Sequence, residues 1–358
     1  VWHAIQSIPY IKTHENPSNI YLASLLYCNS TATKILDGNP PIEEALHNNK
    51  EKYTSRLRTN SDIKQQEVGK TPWMATCESE EERSIAIANY FDKKTLNKEL
   101  SEALKKLKNN QHPQGGWTWI AGSNEPSEWV TRHILTLLGK TEYRTEHYIT
   151  EALHFVDRCV AKEYQQRIKN KDNDYYDLEY LYLRSLYPNT SFAGSSEQAY
   201  NHYIKQATKA IHQQRNLYDN AMLAIVFQRK NMTKEAHDII QQLKERSLTN
   251  DEMGMYWRDN NNTTPWGNHP IAVQSMIIRA FAEVTPEDKE SIGKMQQWLL
   301  KQKQTTTWNN DIATTEAIDA LLTPTGTSAI TQENNSQMIV GDSTIACHGL
   351  LGYASARW

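Results

Sequence analysis

The sequence predicts an all-α chain folded as an α/α toroid, with a short β segment at its C-terminal end. Three observations predict it. Apolar residues recur at helical spacing in roughly thirteen segments joined by short polar turns. The junctions between segments repeat: Leu107-Lys108-x-x-Gln111 leads to Trp117, Leu300-Lys301-x-x-Gln304 leads to Trp308, and a partial copy, Leu243-Lys244-x-x-Ser247, leads to Tyr256-Trp257. Almost no strand pattern occurs before residue 330. Each junction ends an amphipathic helix in a polar turn, delivers a tryptophan and opens a new helix, which is the mark of stacked helical hairpins. Hairpins in this number and order suggest inner helices ringing an axis under a cover of outer helices; an open solenoid is the alternative.

The first junction, Gln111-His112-Pro113-Gln114-Gly115-Gly116-Trp117-Thr118-Trp119, is the fullest. Its indole fills the gap between hairpins and its glutamine amide caps a helix end.

Taken in order, residues 1–10 read as the end of a helix stopped near Pro9. Asn19 to Leu36 is a helix with Leu22, Leu25, Leu26 and Asn29 on helical spacing. Gly38-Asn39-Pro40-Pro41 breaks it, and Pro41 with Glu43 and Glu44 opens the next helix, to about Arg58. Ser79 and Glu82 form a capping box for helices near 79–91 and 93–109. Glu125-Pro126-Ser127 opens a helix to Leu138. Helices follow near 144–168, 173–187, 195–211, 216–229 and 232–246. An Asn-rich loop, 250–268, leads to helices at 269–283, from Thr285-Pro286-Glu287 to Lys303, and from Asn309 to Leu322. Gln337 to Ile345 reads as strand, turn, strand. The expected division is therefore 1–325 for the toroid and 326–358 for the start of a following β-sandwich domain.

A chain of 358 residues can bury a large core in one domain or two. Net charge is −3, so no electrostatic case exists for a nucleic-acid partner. No run of about 18 apolar residues appears, so no membrane span is expected. The four cysteines, Cys28, Cys77, Cys159 and Cys347, are far apart and form no CxxC. They are expected to be buried or idle thiols, with neither a disulfide scaffold nor a zinc site. The first residues, Val1-Trp2-His3, already read as helix, which suggests a piece of a longer protein.

Several stretches carry a resemblance. They are Ile8-Pro9-Tyr10, Pro41-Ile42-Glu43-Glu44-Ala45, Thr71-Pro72-Trp73, Ala103-Leu104-Lys105-Lys106-Leu107 with Gly115-Gly116-Trp117-Thr118-Trp119, and Tyr256-Trp257-Arg258-Asp259-Asn260. The strongest run is Pro270-Ile271-Ala272-Val273-Gln274-Ser275, Trp298 to Gln304, and Ala313-Thr314-Thr315-Glu316-Ala317-Ile318. In this order they resemble the thioester-type helical domain of bacterial α2-macroglobulin-like proteins, particularly the Bacteroidetes type. The resemblance implies an α/α toroid followed by a return into a β-sandwich. It implies a large secreted or periplasmic protein, often lipid-anchored, that traps or senses proteases after cleavage of a separate bait segment. The implied partners are neighbouring β-sandwich domains of the same chain, and proteases.

That family's chemistry needs a cysteine and, three residues on, a glutamine, whose thiol and side-chain carbonyl close an internal thioester. Lining up Pro9-Tyr10 and Asn29 with the family pattern puts Ser18-Asn19-Ile20-Tyr21 where the reactive tetrapeptide stands. Position +3 from the four cysteines is Thr31, Glu80, Lys162 and Leu350, never glutamine. Ser18 offers a poor substitute, because an oxygen ester is far less activated, and Tyr21 has no acyl group. The fold is therefore expected and the covalent chemistry is not. Cys77-Glu78-Ser79-Glu80 has glutamate in place of glutamine and reads as a helix start.

Other constellations weigh less. His147, Glu151 and His154 share one helix face but lack HExxH, and read as a solvated face. Asp172, Asp174, Asp177 and Glu179 cluster at a helix start, where capping and dipole complementarity explain them better than acid–base work. Gln111-x-x-x-Gly115-x-Trp117 matches the QW repeat of terpene cyclases, whose terpenoid cyclase/prenyltransferase-like helical barrel is the same toroid; the cyclase motifs DDxxD and DxDD do not occur. That repeat is a structural clamp and supports the fold alone. If the loops gather at one mouth, Trp117, Trp119, Trp257 and Trp266 would line a binding rim. No cofactor, metal or catalytic residue is expected. The leading expectation is a non-enzymatic module without thioester chemistry; the alternative is a toroid enzyme or binding module acting on polysaccharide.

Overall fold

The computed structural model describes residues 2–12, 18–38, 86–213, 215–261, 270–303, 307–308, 310–324, 336–340 and 343–347. Its elements run α1 (Trp2–Ser7), a 3₁₀ turn (Ile8–Lys12), α2 (Asn19–Gly38), α3 (Lys93–Asn109), α4 (Glu128–Leu138), a 3₁₀ turn (Glu142–Thr145), α5 (His147–Lys169), α6 (Leu178–Ser185), α7 (Ser196–Lys209), α8 (Leu217–Arg229) and α9 (Thr233–Glu245). Then come β1 (Leu248–Asn250), β2 (Gly254–Tyr256), a 3₁₀ turn (Arg258–Asn261), α10 (Pro270–Val284), α11 (Lys289–Lys301), α12 (Asp311–Leu322), β3 (Ser336–Val340) and β4 (Ser343–Cys347).

Burial sorts these helices into two layers. On α3 only Leu96, Leu100, Ala103 and Leu107 are buried, and on α9 only Ala236, Ile239, Ile240 and Leu243. Each set is one stripe, so these helices cover a surface. By contrast α8 buries nearly every residue from Asn220 to Phe227, and α12 every residue from Ala313 to Leu321. Helices buried all round must have neighbours on every side.

The packing supplies those neighbours in a ring. Among the described residues, α2 packs on α4, α4 on α6, α6 on α8, α8 on α10, α10 on α12, and α12 back on α2. The odd-numbered helices pack outside this ring, α1 on α12 and α3 on α2. The chain is thus an all-α closed α/α toroid, and the open solenoid is excluded by the α12–α2 contact.

The junctions hold the layers together in a repeated way. The indole Nε1 of Trp117 donates to the Leu107 carbonyl (2.8 Å), that of Trp257 to Leu243 (2.8 Å), and that of Trp308 to Leu299 (2.9 Å). Each ring satisfies an orphan carbonyl at the end of an outer helix while filling the core. Gln111 Nε2 donates to the carbonyls of Gly115 (2.6 Å) and Tyr148 (2.7 Å). A further repeat is invisible in the motif itself. The backbone N–H of Trp117 donates to Thr131 Oγ1 (2.8 Å) and that of Trp308 to Thr314 Oγ1 (3.1 Å), each threonine four residues after its helix cap, Ser127 or Asn310. Gly115 makes the first junction possible: its φ is +98°, and a Cβ there would sit 2.7 Å from the Glu151 carbonyl oxygen.

Some boundaries differ from the sequence reading. The helix expected from Thr285 begins at Lys289, because Asp288 is the residue whose side chain accepts from the Ser291 amide. Asp177 likewise caps α6 at Leu178, shortening the helix expected from 173. The loop expected from residue 250 contains β2, which pairs antiparallel with β1 at the loop's start, Asn250 opposite Gly254. Pro9 lies inside a 3₁₀ turn. Residues 39–85, with the capping box at Ser79 and Cys77, lie outside the described residues. β3 and β4 pair antiparallel, with Ser336 opposite Cys347.

Candidate functional site

The position expected for the reactive tetrapeptide is the first turn of inner helix α2. Ser18 Oγ accepts from the Tyr21 amide (3.2 Å), so this hydroxyl caps the helix. Asn19 is fully buried and every polar group it carries is used. Its amide N–H donates to the Trp119 carbonyl (3.1 Å), its Nδ2 to the Thr118 carbonyl (2.8 Å), and its Oδ1 accepts from Asn110 Nδ2 (2.8 Å). Ile20 and Tyr21 are buried. A residue at position 19 therefore pins the α3–α4 junction to the start of α2.

Beside this turn the aromatic groups form a stair. Trp119, 43% exposed, stacks on Trp129 with ring centres 5.6 Å apart, and Trp129 stacks on His133 at 5.8 Å. His133 Nε2 is buried without a hydrogen bond, and burial pulls the imidazole down to about 4, so it is neutral at physiological pH. The rim expected from four tryptophans does not assemble as such. Trp117 and Trp257 are in the core, because their N–H groups are needed by helix ends. Trp119 alone of the three described residues reaches solvent, and Trp266 lies outside the described residues.

The toroid axis carries a charge network that the sequence analysis missed. Asp319 on α12 accepts from Tyr27 of α2 (2.5 Å) and Lys140 after α4 (2.9 Å) and forms an ion pair with Arg279 of α10 (3.0 Å). Glu316, one turn earlier, lies 3.9 Å from Lys140 and 3.6 Å from Arg279. Arg279 also donates to the Tyr182 hydroxyl of α6. Although burial opposes its charge, Asp319 is held well below the usual carboxylate range by Lys140 and Arg279, with help from Tyr27. Burial and the Asp319 charge push the Tyr27 hydroxyl far up. A signal did exist: Arg279, Glu316 and Asp319 are charges inside otherwise apolar helical segments, and such charges are almost never buried unpaired.

Above this network opens a cleft of about 770 Å³. It is lined by the C-terminal ends of all six inner helices: Lys34 of α2, Gly139 after α4, Ser185 of α6, Arg229 of α8, Glu283 of α10 and Leu322 of α12. Its rim is cross-braced by Lys34–Glu142 (2.8 Å) and by the two-pronged Arg229–Glu283 pair (2.5 and 2.9 Å).

The remaining candidates resolve into local structure. His147 Nδ1 lies 3.8 Å from Glu151 on the exposed face of α5, while His154 Nε2 turns to the Ser191 carbonyl. Asp177 caps α6 and takes both nitrogens of Arg132, which also grips Glu128. Cys28 is buried, which pushes its thiol up and makes it unreactive. No His, Cys, Asp or Glu grouping among the described residues could hold a metal. No described helix is long and apolar enough to cross a membrane.

Residues 181–323 match the family model of the A-macroglobulin TED domain. The match runs from α6 through α12 and takes in Arg279, Glu316 and Asp319; Ser18–Tyr21 lies before it. It supports an α2-macroglobulin-like thioester-type domain, a kind of domain that forms part of a larger multidomain chain, and the all-α toroid is consistent with it. No curated protein matches the chain.

Proposed function

We propose that this chain is the helical thioester-type domain of a large secreted or periplasmic α2-macroglobulin-like protein of the bacterial type, and that it works without a thioester. The observation that carries the reading is the start of α2. A thioester there would need a thiol at position 18 and a side-chain acyl group at position 21. Position 18 holds a capping hydroxyl, and position 21 a buried phenol. No cysteine elsewhere has the required partner three residues on. The domain then acts through shape. Neighbouring β-sandwich domains of the same chain are its partners, and proteases are enclosed rather than acylated.

The same reading makes the domain non-enzymatic. A toroid glycosidase needs one carboxyl group that can give up a proton. Asp319, the best-placed carboxylate of the axis, is kept ionised by two buried cations, and Glu316 shares both of them.

The test uses the full-length protein. Treatment with methylamine followed by mass spectrometry is expected to give no adduct. A panel of proteases is then added, with native gels and small-angle scattering as readouts. Compaction with non-covalent retention of the protease is the expected result. A methylamine adduct on this domain would overturn the loss of the thioester, and cleavage without compaction or retention would overturn trapping.

A further inference from the structure

We infer that the cleft at the C-terminal mouth of the inner-helix ring binds an organic anion through its carboxylate groups. The volume, about 770 Å³, is that of a small-molecule site. Five basic residues line it (Lys34, Lys140, Arg144, Arg229 and Arg279) against three acidic ones. Helix C-termini carry partial negative charge, and much of this basic character offsets it. What distinguishes the cleft is the set of donors that the fold leaves unused.

Arg279 is almost wholly buried, yet its Nη1 makes no hydrogen bond; Glu316 lies 3.6 Å from it, too far to accept one. A buried guanidinium nitrogen without an acceptor is costly. Lys140 Nζ makes one close contact, to Asp319, and has further N–H groups to offer. Arg144 stands at the rim with no ion-pair partner among the described residues. Two donors on the floor and a guanidinium at the rim suit an acceptor-only ligand, and a carboxylate is planar enough to take a guanidinium fork. Lys34 and Arg229 are already committed to Glu142 and Glu283, which fix the walls.

The source of the carboxylate is either a free organic acid or an acidic peptide, and two probes separate them. Citrate and the tripeptide Glu-Glu-Glu are titrated by calorimetry into the protein at low ionic strength. At least one is expected to bind. Arg144→Glu, at an exposed position, is expected to weaken that binding by at least about tenfold. Lys105→Glu, at an exposed position near the end of α3 that meets the start of α2 through Asn110 and Asn19, opposite the cleft, changes net charge equally and is expected to leave it unchanged. Lys140→Met, checked for folding by circular dichroism, is expected to weaken it further. Binding of citrate alone assigns a free acid, and binding of the tripeptide alone or of both assigns a peptide-accessible site. Failure of both probes to bind, or equal losses in the Arg144 and Lys105 variants, would overturn the site. Either failure leaves the protease-trapping reading untouched, because that reading does not use the cleft.

Discussion

At one end of the ring the inner helices begin, and at the other they stop; the two ends are built from different materials. At the beginning, short polar side chains meet the backbone N–H groups: Ser18 on α2, Ser127 on α4, Asp177 on α6, Asn216 on α8 and Asn310 on α12. Aromatic rings fill the space between them. At the stopping end, long cations reach over the helix termini and pair with carboxylates from neighbouring helices, as Lys140 and Arg279 do with Asp319. Caps are local and each serves one helix. The ion network is non-local: Asp319 ties α2, α4 and α10 to α12. The beginning end therefore fixes each hairpin, and the stopping end fixes the ring.

The largest effects are expected where that difference is attacked directly. Asp319→Asn leaves Lys140 and Arg279 buried with only Glu316 to share. It is expected to cost about 3–5 kcal/mol in urea unfolding. Trp117→Ala at the other end removes a buried ring and uncaps Leu107, for a loss of about 3–5 kcal/mol. A double variant tests whether the two ends are independent. Because these sites share no partner, the two losses are expected to add within about 0.5 kcal/mol; strong coupling would show that the ends are not independent.

A smaller effect follows from His133. Its folded value, about 4, lies below the ordinary histidine value. Between those two values the unfolded chain binds a proton that the folded chain does not, so stability falls as pH drops from 7 to 4. The loss is expected to be on the order of 3 kcal/mol. Unfolding of His133→Phe, which keeps a ring against Trp129, is expected to show a shallower slope over the same range. Asp319 works in a different window. Its contribution is fully present above the ordinary carboxylate value and is lost only in strong acid.

The smallest effects test the first turn of α2. Ser18→Ala removes one cap and is expected to cost about 1 kcal/mol. Trp119→Ala, at a partly exposed stack, is expected to cost about 0.5–1 kcal/mol. A loss at either position as large as that of Trp117→Ala would mean that this turn supports more of the fold than its contacts indicate.

The periodic record in the sequence made most of the helices legible, since one apolar stripe on α3 or α9 reads the same in any context. The Leu-Lys-x-x-Gln to Trp junction also read correctly as a clamp, but only the indole caps a helix end; the Gln111 amide instead ties the Gly115 loop carbonyl to the Tyr148 carbonyl in the first turn of α5. Trp117 and Trp257 misled as rim residues because the same ring chemistry serves a core clamp and a binding surface, and sequence does not report burial. The axial network was not read, because its members sit on different hairpins; Tyr27 and Asp319 are separated by 292 positions.

The features legible from chain order are local: helix periodicity, a cap such as Ser127, and the lack of any cysteine with a glutamine three residues on. These depend on interactions within a few residues. Closure of the ring, the mutual neutralisation of charges buried in α10 and α12, and the meeting of six helix ends around one cleft come from packing between hairpins. Those outcomes depend on which hairpin packs against which, and the energy of a buried charge is set by partners that the chain delivers from far away.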